Sequence, residues 1–573
     1  MGKIDGSPDI RNGILGAIPV IKSYLDRLRI VETIDRILPK APQSPVSHGE
    51  CVLALLISVL QGDHRLCYVE HKLRDLDLVL LFGRKGIAAH HFNDTRLGVT
   101  LDALFSHTTE IYGSIVCSAI LEFGIRPKRF HVDTTTVILR GVYDILEVLP
   151  SLREAPPIPA RGYSKDHRPD LQQLMFGMVN SDEGIPMLGR FENGNGADTK
   201  LFRNYMAELA EKLDDLRGSD AITVGDSKLC TVETLAQAAE LSFPLITMVP
   251  ETFSMRQEFI GQACLDADLP HLLTTEEGGE YHGKSWKFPV ILEIPGKPDR
   301  HVWLRCLAVY SSQLAKKKQE SRKRSVTNEW EALQAFCTRI AETTFACEAD
   351  AKKVVSRDWK ALKAKFHSMS FNSSPEEIVI PNKKVGRPAK ISPPPVRAVI
   401  WRVTIHITET LREKTAYDPD GFFVLVTSVT DHRKKSDTQL LEGYKGQQVV
   451  ETSFKWMKGP LAVAPLFLEL PSRIQALGFI LLLALLFSAL LQRDARRAIR
   501  KRGGKVPNFP GRKSDSPTWQ GILALFEGIR LTTVSLGSQK HRAFHNLDAD
   551  QVEVLALLGI PEIYEKHSTA VYN

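Results

Sequence analysis

Residues 130–138 read Phe-His-Val-Asp-Thr-Thr-Thr-Val-Ile, and this stretch decides the fold class. It is rich in β-branched side chains and alternates with a period of two, which is typical of a β-strand. Asp133 lies on the polar face in the middle of this strand. A carboxylate there costs free energy unless a cation or hydrogen-bond donors compensate it. The stretch predicts a sheet with Asp133 either at a functional site or in a structural hydrogen bond.

The residues that follow continue the sheet. Turn residues separate further apolar runs, and an aspartate at position 198 can cap a helix. We expect strands at 171–179, 185–191, 221–224 and 244–249, and helices at 198–216 and 232–241. The order β-β-β-α-β-α-β predicts an α/β domain with a mixed five-stranded sheet.

The rest of the chain divides into segments that differ in their hydrophobic pattern. Helical spacing of apolar residues predicts an all-α N-terminal domain over 1–125, which either binds DNA or serves dimerisation. The core then occupies 126–250 and resumes at 441–502, after a partly β and partly helical insertion over 251–440. A tail follows at 503–573. The apolar run 476–491, within a helix expected at 472–502, is too short to span a membrane comfortably and predicts a buried core helix.

Composition is that of an ordinary soluble protein, with 43% hydrophobic and 25% charged residues. The net charge of +7 excludes a polybasic coat, although basic residues cluster at 316–324 and 493–502. Each cluster alone is more often a solvated face than a phosphate-binding surface. The eight cysteines form no CxxC pair, which argues against a zinc ribbon and fits a reducing cytosol. The N-terminus lacks the apolar core of a signal peptide, so we expect a cytoplasmic protein.

Two further carboxylates have informative positions. Asp226 follows the predicted strand 221–224, where sites on α/β sheets tend to open, although it could equally cap the next helix. Glu451 lies on a predicted helix over 441–458, whose apolar face carries Val450, Phe454 and Met457. An adjoining stripe of the same helix carries Glu451 together with four polar residues, namely Tyr444, Gln447, Lys455 and Lys458. Taken alone, Glu451 is as well explained by an i,i+4 ion pair with Lys455.

Together, Asp133, Asp226 and Glu451 indicate a metal site. Two aspartates on neighbouring strands and a glutamate on a helix against the same sheet can bind two divalent cations. Mg²⁺ prefers oxygen ligands, and Mn²⁺ can substitute for it. Two ions about 4 Å apart can stabilise the attacking and leaving oxygens at phosphorus. The lysines and the tyrosine beside Glu451 would then contact backbone phosphates.

These motifs resemble those of DDE-type insertion-sequence transposases, in the branch with a Tyr-x2-Arg-x3-Glu-x6-Lys signature. The resemblance covers about residues 10–500. The segments that carry it are His131-Val-Asp-Thr-Thr135, Asp166-His-Arg-Pro-Asp170, Gly225-Asp-Ser-Lys228 and Tyr444-Lys-Gly-Gln-Gln-Val-Val-Glu451, with Lys458 completing the signature.

The resemblance implies an RNase H-like catalytic core with the three carboxylates as catalytic and metal-binding residues. It implies that a homodimer binds the terminal inverted repeats of double-stranded DNA, cleaves the ends and joins them to target DNA. The DNA-binding residues would be Tyr444, Lys458, Lys455 and Lys228. Such a protein would act in the cytoplasm, on the nucleoid of a prokaryotic cell.

Two features qualify the resemblance. Gln447 replaces the arginine of the signature, so a bidentate phosphate contact is lost and only one hydrogen bond can be donated. Gly386-Arg-Pro388, with lysines around it, resembles a minor-groove hook, in which Arg387 would enter the groove; the alternative is a flexible linker.

Two other functions fit the same residues. One is a catalytically silent DNA-binding protein derived from a transposase. The other is a metal-dependent nuclease that cuts DNA without joining it.

Overall fold

The protein is described by a computed structural model. It describes residues 9–139, 155–162, 168, 170–212, 221–241, 243–292, 299–380, 396–410, 415–459, 461, 466, 468–536, 539–544 and 546–565. The chain forms two compact units. Unit 1 contains Met1–Pro250, Lys287–Arg305 and Val426–Asn573, and unit 2 contains Glu251–Trp286 and Cys306–Leu425.

Helices dominate the N-terminal part of unit 1, as predicted, but a strand precedes them. The elements are β1 (Asp9–Ile14), α1 (Ile18–Arg27), α2 (Ile30–Ile37), α3 (His48–Leu60), α4 (Leu66–Arg74), α5 (Leu78–Phe82), α6 (Asp94–Phe105) and α7 (Thr108–Phe123). A capping box fixes the start of α3, because the Ser47 hydroxyl accepts from the Glu50 amide and the Glu50 carboxylate accepts from the Ser47 amide.

The predicted order β-β-β-α-β-α-β is confirmed. The elements are β2 (Arg129–Ile138), β3 (Gln173–Ser181), β4 (Pro186–Glu192), α8 (Asp198–Lys212), β5 (Ile222–Gly225), α9 (Val232–Glu240) and β6 (Leu245–Met248). In space these strands follow the order β4-β3-β2-β5-β6, but the predicted five-stranded sheet is wrong in size, because they belong to a nine-stranded sheet. β5 runs parallel to β2 and β6, whereas β3 is antiparallel to β2 and β4. The protein is therefore a mixed α/β structure with a large mixed sheet and many helices.

Unit 2 and the segments that enter and leave it are partly β and partly helical, as expected for the insertion. The elements are α10 (Ser254–Cys264), β7 (His271–Thr274), β8 (Glu280–Leu292), β9 (Arg300–Ser311), α11 (Ser312–Glu342), α12 (Glu348–Leu362), β10 (His367–Ile380), β11 (Val396–Glu409) and β12 (Phe422–Thr427). β10 and β11 form a long antiparallel ribbon, which packs on α11 and α12 around Phe336, Ile340 and Val403.

Unit 1 resumes after β12. The elements are α13 (Asp437–Lys445), α14 (Gln448–Lys458), α15 (Pro471–Arg502), β13 (Val506–Pro507), β14 (Lys513–Ser514), α16 (Trp519–Ala524), β15 (Arg530–Leu536), β16 (Gln539–Phe544) and α17 (Ala549–Leu557). β15 pairs with both β1 and β16, so the C-terminal segment completes a small sheet with the N-terminal strand.

α15 is the central helix of unit 1. By length and composition it could cross a membrane, but its most apolar 18-residue window is wholly buried inside the protein. This agrees with the predicted buried core helix. Its close packing needs glycines: a Cβ on Gly478 would lie 2.7 Å from Cδ2 of Phe191, and one on Gly189 of β4 would lie 2.9 Å from Cδ1 of Leu482.

Candidate active site

Asp133 and Asp226 each follow the last residue pair of two neighbouring strands. In the parallel pairing of β2 with β5, Val132 is opposite Gly225; Asp133 is the next residue of β2, and Asp226 is the first residue after β5. Residues in register on adjacent strands are about 5 Å apart and point to the same face. Both aspartates are half-buried, whereas the remaining residues of β2 are buried except at its two ends. The sheet therefore leaves an accessible pair of carboxylates at this point.

The segment after β5 fixes the orientation of Asp226. Its carboxylate accepts a 3.0 Å hydrogen bond from the amide of Lys228, and its carbonyl accepts a 2.6 Å hydrogen bond from the hydroxyl of Thr247 on β6. Gly225 is needed there, since a Cβ at that position would lie 1.9 Å from Cδ1 of Leu229. The sequence also allows Asp226 to cap the next helix. It does act as a cap, but of the short 3-10 helix Ser227–Leu229.

The segment that carries Glu451 lies close to the sheet at two glycines. A Cβ on Gly446 would lie 3.1 Å from Cε1 of His131, and a Cβ on Gly443 would lie 3.5 Å from Nε of Arg129. Arg129 also forms a 3.6 Å ion pair with Glu442. His131 and Arg129 share the strand face of Asp133 because they are two and four residues away. α13 and the start of α14 therefore cover the face of β2 to which Asp133 belongs.

The predicted single helix over 441–458 is wrong in one respect, because it is broken. α13 ends at Lys445 and α14 begins at Gln448. Between them the amides of Gln447, Val449 and Val450 bond to carbonyls three residues back, which winds the chain more tightly than an α-helix. Tyr444 therefore does not share one helical stripe with Glu451. The predicted packing face of α14 is confirmed, since Val450, Phe454 and Met457 are buried.

Tyr444 links the two halves of the site. Burial first, and then the negative charges of Asp226 and Glu451, raise the pKa of Tyr444 to about 12. Its hydroxyl lies 3.5 Å from Sδ of Met248, at the end of β6. The phenol is therefore in the electrostatic field of one carboxylate from the sheet and one from α14. Glu451 itself is exposed.

A buried polar contact holds α14 on the sheet. The side-chain amide of Asn180 on β3 donates a 2.6 Å hydrogen bond to the hydroxyl of Ser453. Both side chains are buried, at 0% and 2% exposure. Because Ser453 is two residues from Glu451, this bond sets the rotation and height of the helix that presents the glutamate. Sequence reasoning missed Asn180, although a polar residue at the end of the apolar run 174–179 is a signal for such a contact.

His131 is a second buried polar group that the sequence did not single out. Its exposure is 0%, and neither ring nitrogen has a hydrogen-bond partner among the described residues. Burial, and then the charge of Arg129, lower the pKa of His131 to about 4. The imidazole is therefore neutral at physiological pH, and its ring packs against Gly446.

The donor set of the candidate site consists of carboxylate oxygens, which is the chemistry that Mg²⁺ prefers. Among the residues that the structure describes, no three His, Cys, Asp or Glu side chains are close enough to hold one metal ion together. Ligation of an ion by Asp133, Asp226 and Glu451 at once therefore requires at least one of them to move.

The predicted DNA-binding residues and Glu451 differ in their exposure. Lys228, Lys455 and Glu451 are exposed, whereas Tyr444, Gln447 and Lys458 are half-buried. Arg387, with the rest of the Gly-Arg-Pro segment, lies outside the described residues. So do Asp166, His167 and Pro169 of the motif at 166–170, in which Arg168 forms a 2.7 Å ion pair with Asp170.

Comparisons with known proteins give distant similarities. Residues 11–117 match a family described as a domain of unknown function, DUF4277. No curated protein matches the chain. Among solved structures, the chain is similar to a piggyBac transposase in a synaptic complex with hairpin DNA, with 13% identity and a TM-score of 0.24. The match covers 52% of this chain and 63% of that one, so less than two thirds of that transposase is matched.

Proposed function

We propose that the chain is a DNA transposase of the DDE type, with an RNase H-like core and with Asp133, Asp226 and Glu451 as its catalytic residues. The observation that supports the proposal is the register of β2 with β5, because a half-buried aspartate directly follows each member of the pair Val132–Gly225. The third carboxylate, Glu451, is on α14. Burial first, and then the charges of both Asp226 and Glu451, raise the pKa of Tyr444, which supports a position of both carboxylates near this phenol.

The three carboxylates would hold Mg²⁺, and Mn²⁺ could replace it. When bound, two such ions activate a water or a 3′-hydroxyl and stabilise the leaving oxygen at phosphorus. The protein contributes orientation: the amide of Lys228 holds the carboxylate of Asp226, and Ser453 and Asn180 hold the helix of Glu451. Glu451 would have to move toward the two aspartates for all three carboxylates to hold an ion together.

The substrate would be the ends of a mobile element. Lys455 and Lys458 follow Glu451 on α14, so a DNA strand whose scissile phosphate lies at the carboxylates would place its neighbouring phosphates near both ammonium groups. Tyr444 and Lys228 would contact the same strand, and Gln447 would contribute one hydrogen bond where the signature has arginine. Arg387 would contact DNA away from the cut. We further propose that a homodimer pairs two ends, in the cytoplasm of a prokaryotic cell.

The test is cleavage of a duplex that carries the inverted repeat flanking the gene, with a plasmid as target. Wild-type protein with Mg²⁺ should cut the end and join it to the plasmid. Asp133→Asn, Asp226→Asn and Glu451→Gln should each abolish both steps and keep end binding within a few-fold. Nicks without joining would identify a nuclease instead, and binding without cutting would identify a silent DNA-binding protein.

A further inference from the structure

A cleft of about 390 Å³ lies on another side of α14, between this helix, α15 and the turn that joins β3 to β4. The proposed active site does not use it. α14 contributes Val449, Thr452, Ser453 and Trp456, which recur at helical spacing. α15 contributes Gln492, Arg496 and Arg500, which are four residues apart and so line one stripe.

The arginines of the cleft differ in their contacts. Arg493 is a structural residue, since it is buried and donates to Glu183 at 2.8 Å and to the carbonyl of Phe123 at 3.1 Å. Arg496 uses its Nε atom for the carbonyl of Pro517, at 3.1 Å. That bond leaves its two terminal nitrogens for other acceptors. Arg500 is exposed at the mouth, and among the described residues it forms no ion pair.

The charges that line the cleft favour an anionic ligand, because its three arginines outnumber its two carboxylates, Asp182 and Glu183, and Glu183 is already paired with Arg493. Burial, and then the neighbouring charge of Arg500, lower the pKa of Arg496, so the two guanidinium groups repel each other. An acceptor-rich ligand would relieve this repulsion.

The position of the cleft connects it to the active site. At 100° per residue, Glu451 lies about 140° around α14 from Trp456, and Lys455 lies between them on the solvent side. Lys455 is exposed. A polyanion that crosses α14 from Glu451 would pass Lys455 and reach the arginines on the other flank. A nucleic-acid backbone has this form, because it repeats a negative charge at each nucleotide.

We propose that this cleft binds a phosphate group of the DNA strand that the chain processes, with Arg496 and Arg500 as the ligating residues. The inference rests on the proposed function and extends it, since it adds a second contact region beyond the Glu451 face of α14. It also gives α15 a role besides filling the core, because the last turns of that helix present the two guanidinium groups.

The test uses a matched pair of double variants in the full-length chain. Arg496→Ala/Arg500→Ala removes the cleft arginines, whereas Arg497→Ala/Lys501→Ala removes two exposed positive charges from adjacent positions of the same helix. Binding of a fluorescent inverted-repeat duplex is measured by anisotropy between 50 and 300 mM salt. The cleft variant should lose roughly ten- to hundredfold in affinity, and its salt slope should fall by about 1. The control should change far less.

Equal losses in both double variants would overturn the inference, because they would show a general charge effect. No loss in either would overturn it as well. If wild-type protein cuts the end and the two variants bind alike, the proposed function stands and only the inference fails. If wild-type protein neither binds nor cuts, both fail.

Two further comparisons distinguish loss of binding from unfolding, and a phosphate of DNA from a free anion. Arg500→Ala and Lys501→Ala are compared as single variants, because Arg496 also anchors Pro517 and its loss can unfold the protein; thermal melting monitors this. Arg496→Lys/Arg500→Lys should keep most of the salt slope. If millimolar inorganic phosphate raises the melting temperature while duplex binding is unaffected by the cleft variant, the cleft serves a free anion and the proposal is overturned.

Discussion

Removing the hydroxyl of Ser453 should loosen the helix that carries Glu451. In Ser453→Ala, the side-chain amide of Asn180 loses its 2.6 Å partner. Asn180 is 0% exposed, and its Oδ1 atom already has no partner among the described residues. Water can replace the lost bond only by entering the buried contact between β3 and α14 from the cleft that Ser453 lines.

The expected cost follows from that burial. Leaving a buried donor without an acceptor costs about 1–3 kcal/mol of unfolding free energy. Alanine has a higher helix propensity than serine, which offsets a few tenths of a kcal/mol. We expect a net loss of about 1–2.5 kcal/mol in unfolding free energy. The rate of Mg²⁺-dependent cleavage should fall as well, since Glu451 is two residues away.

Urea denaturation of the variant measures the first effect, and end cleavage measures the second. Thr452→Ala is the matched control, because among the described residues its hydroxyl bonds only within α14, to the carbonyl of Gln448 at 2.9 Å. That variant should change the unfolding free energy by about 0.5 kcal/mol or less. Asn180→Leu/Ser453→Ala, which removes both polar partners, should recover part of the loss. If Ser453→Ala costs no more than Thr452→Ala, the buried bond does not hold α14 on the sheet.

Two other changes test separate parts of the structure. Lys458→Ala should weaken binding of the end duplex and reduce the salt slope by about 1, because one phosphate contact is lost; an unchanged slope in a salt titration excludes that contact. The depressed pKa of His131, about 4, makes stability pH-dependent. An unfolded histidine has a pKa of about 6.5, so the contribution of His131 is fully present above that pH and is lost as pH falls toward 4. In metal-free buffer, wild-type protein should lose about 2–3 kcal/mol more than His131→Leu between pH 7 and pH 4.5. Equal losses in urea titrations of the two proteins would contradict this account of His131.

The strands of the core were predictable because their signals are local. β-branched alternation identified β2, and short apolar runs between turns identified β3 to β6. The register of β2 with β5 was not predictable from either segment alone, since about ninety residues separate them. It is this register that brings Asp133 and Asp226 together.

Long-range pairing also explains what the sequence did not reveal. β1 pairs with β15, more than five hundred residues away, and a short polar segment such as 9–14 has no strand signal of its own. The break between α13 and α14 was hidden for another reason. The sequence around Gly446 continues a helical pattern, and the close approach of Gly446 to His131 is a tertiary contact that this pattern does not contain. The predicted stripe with Tyr444 beside Glu451 assumed one continuous helix.

Metal rescue of cysteine variants tests the central claim most directly. Asp133→Cys, Asp226→Cys and Glu451→Cys each replace a hard oxygen ligand by a softer thiolate, which binds Mg²⁺ poorly and Mn²⁺ better. Each variant should fail to cleave the end duplex with Mg²⁺ and regain cleavage with Mn²⁺, whereas Glu527→Cys, at an exposed position on another segment, should behave like wild-type protein with both ions. Normal Mg²⁺-dependent cleavage by any of the three variants would contradict a catalytic site built from these carboxylates.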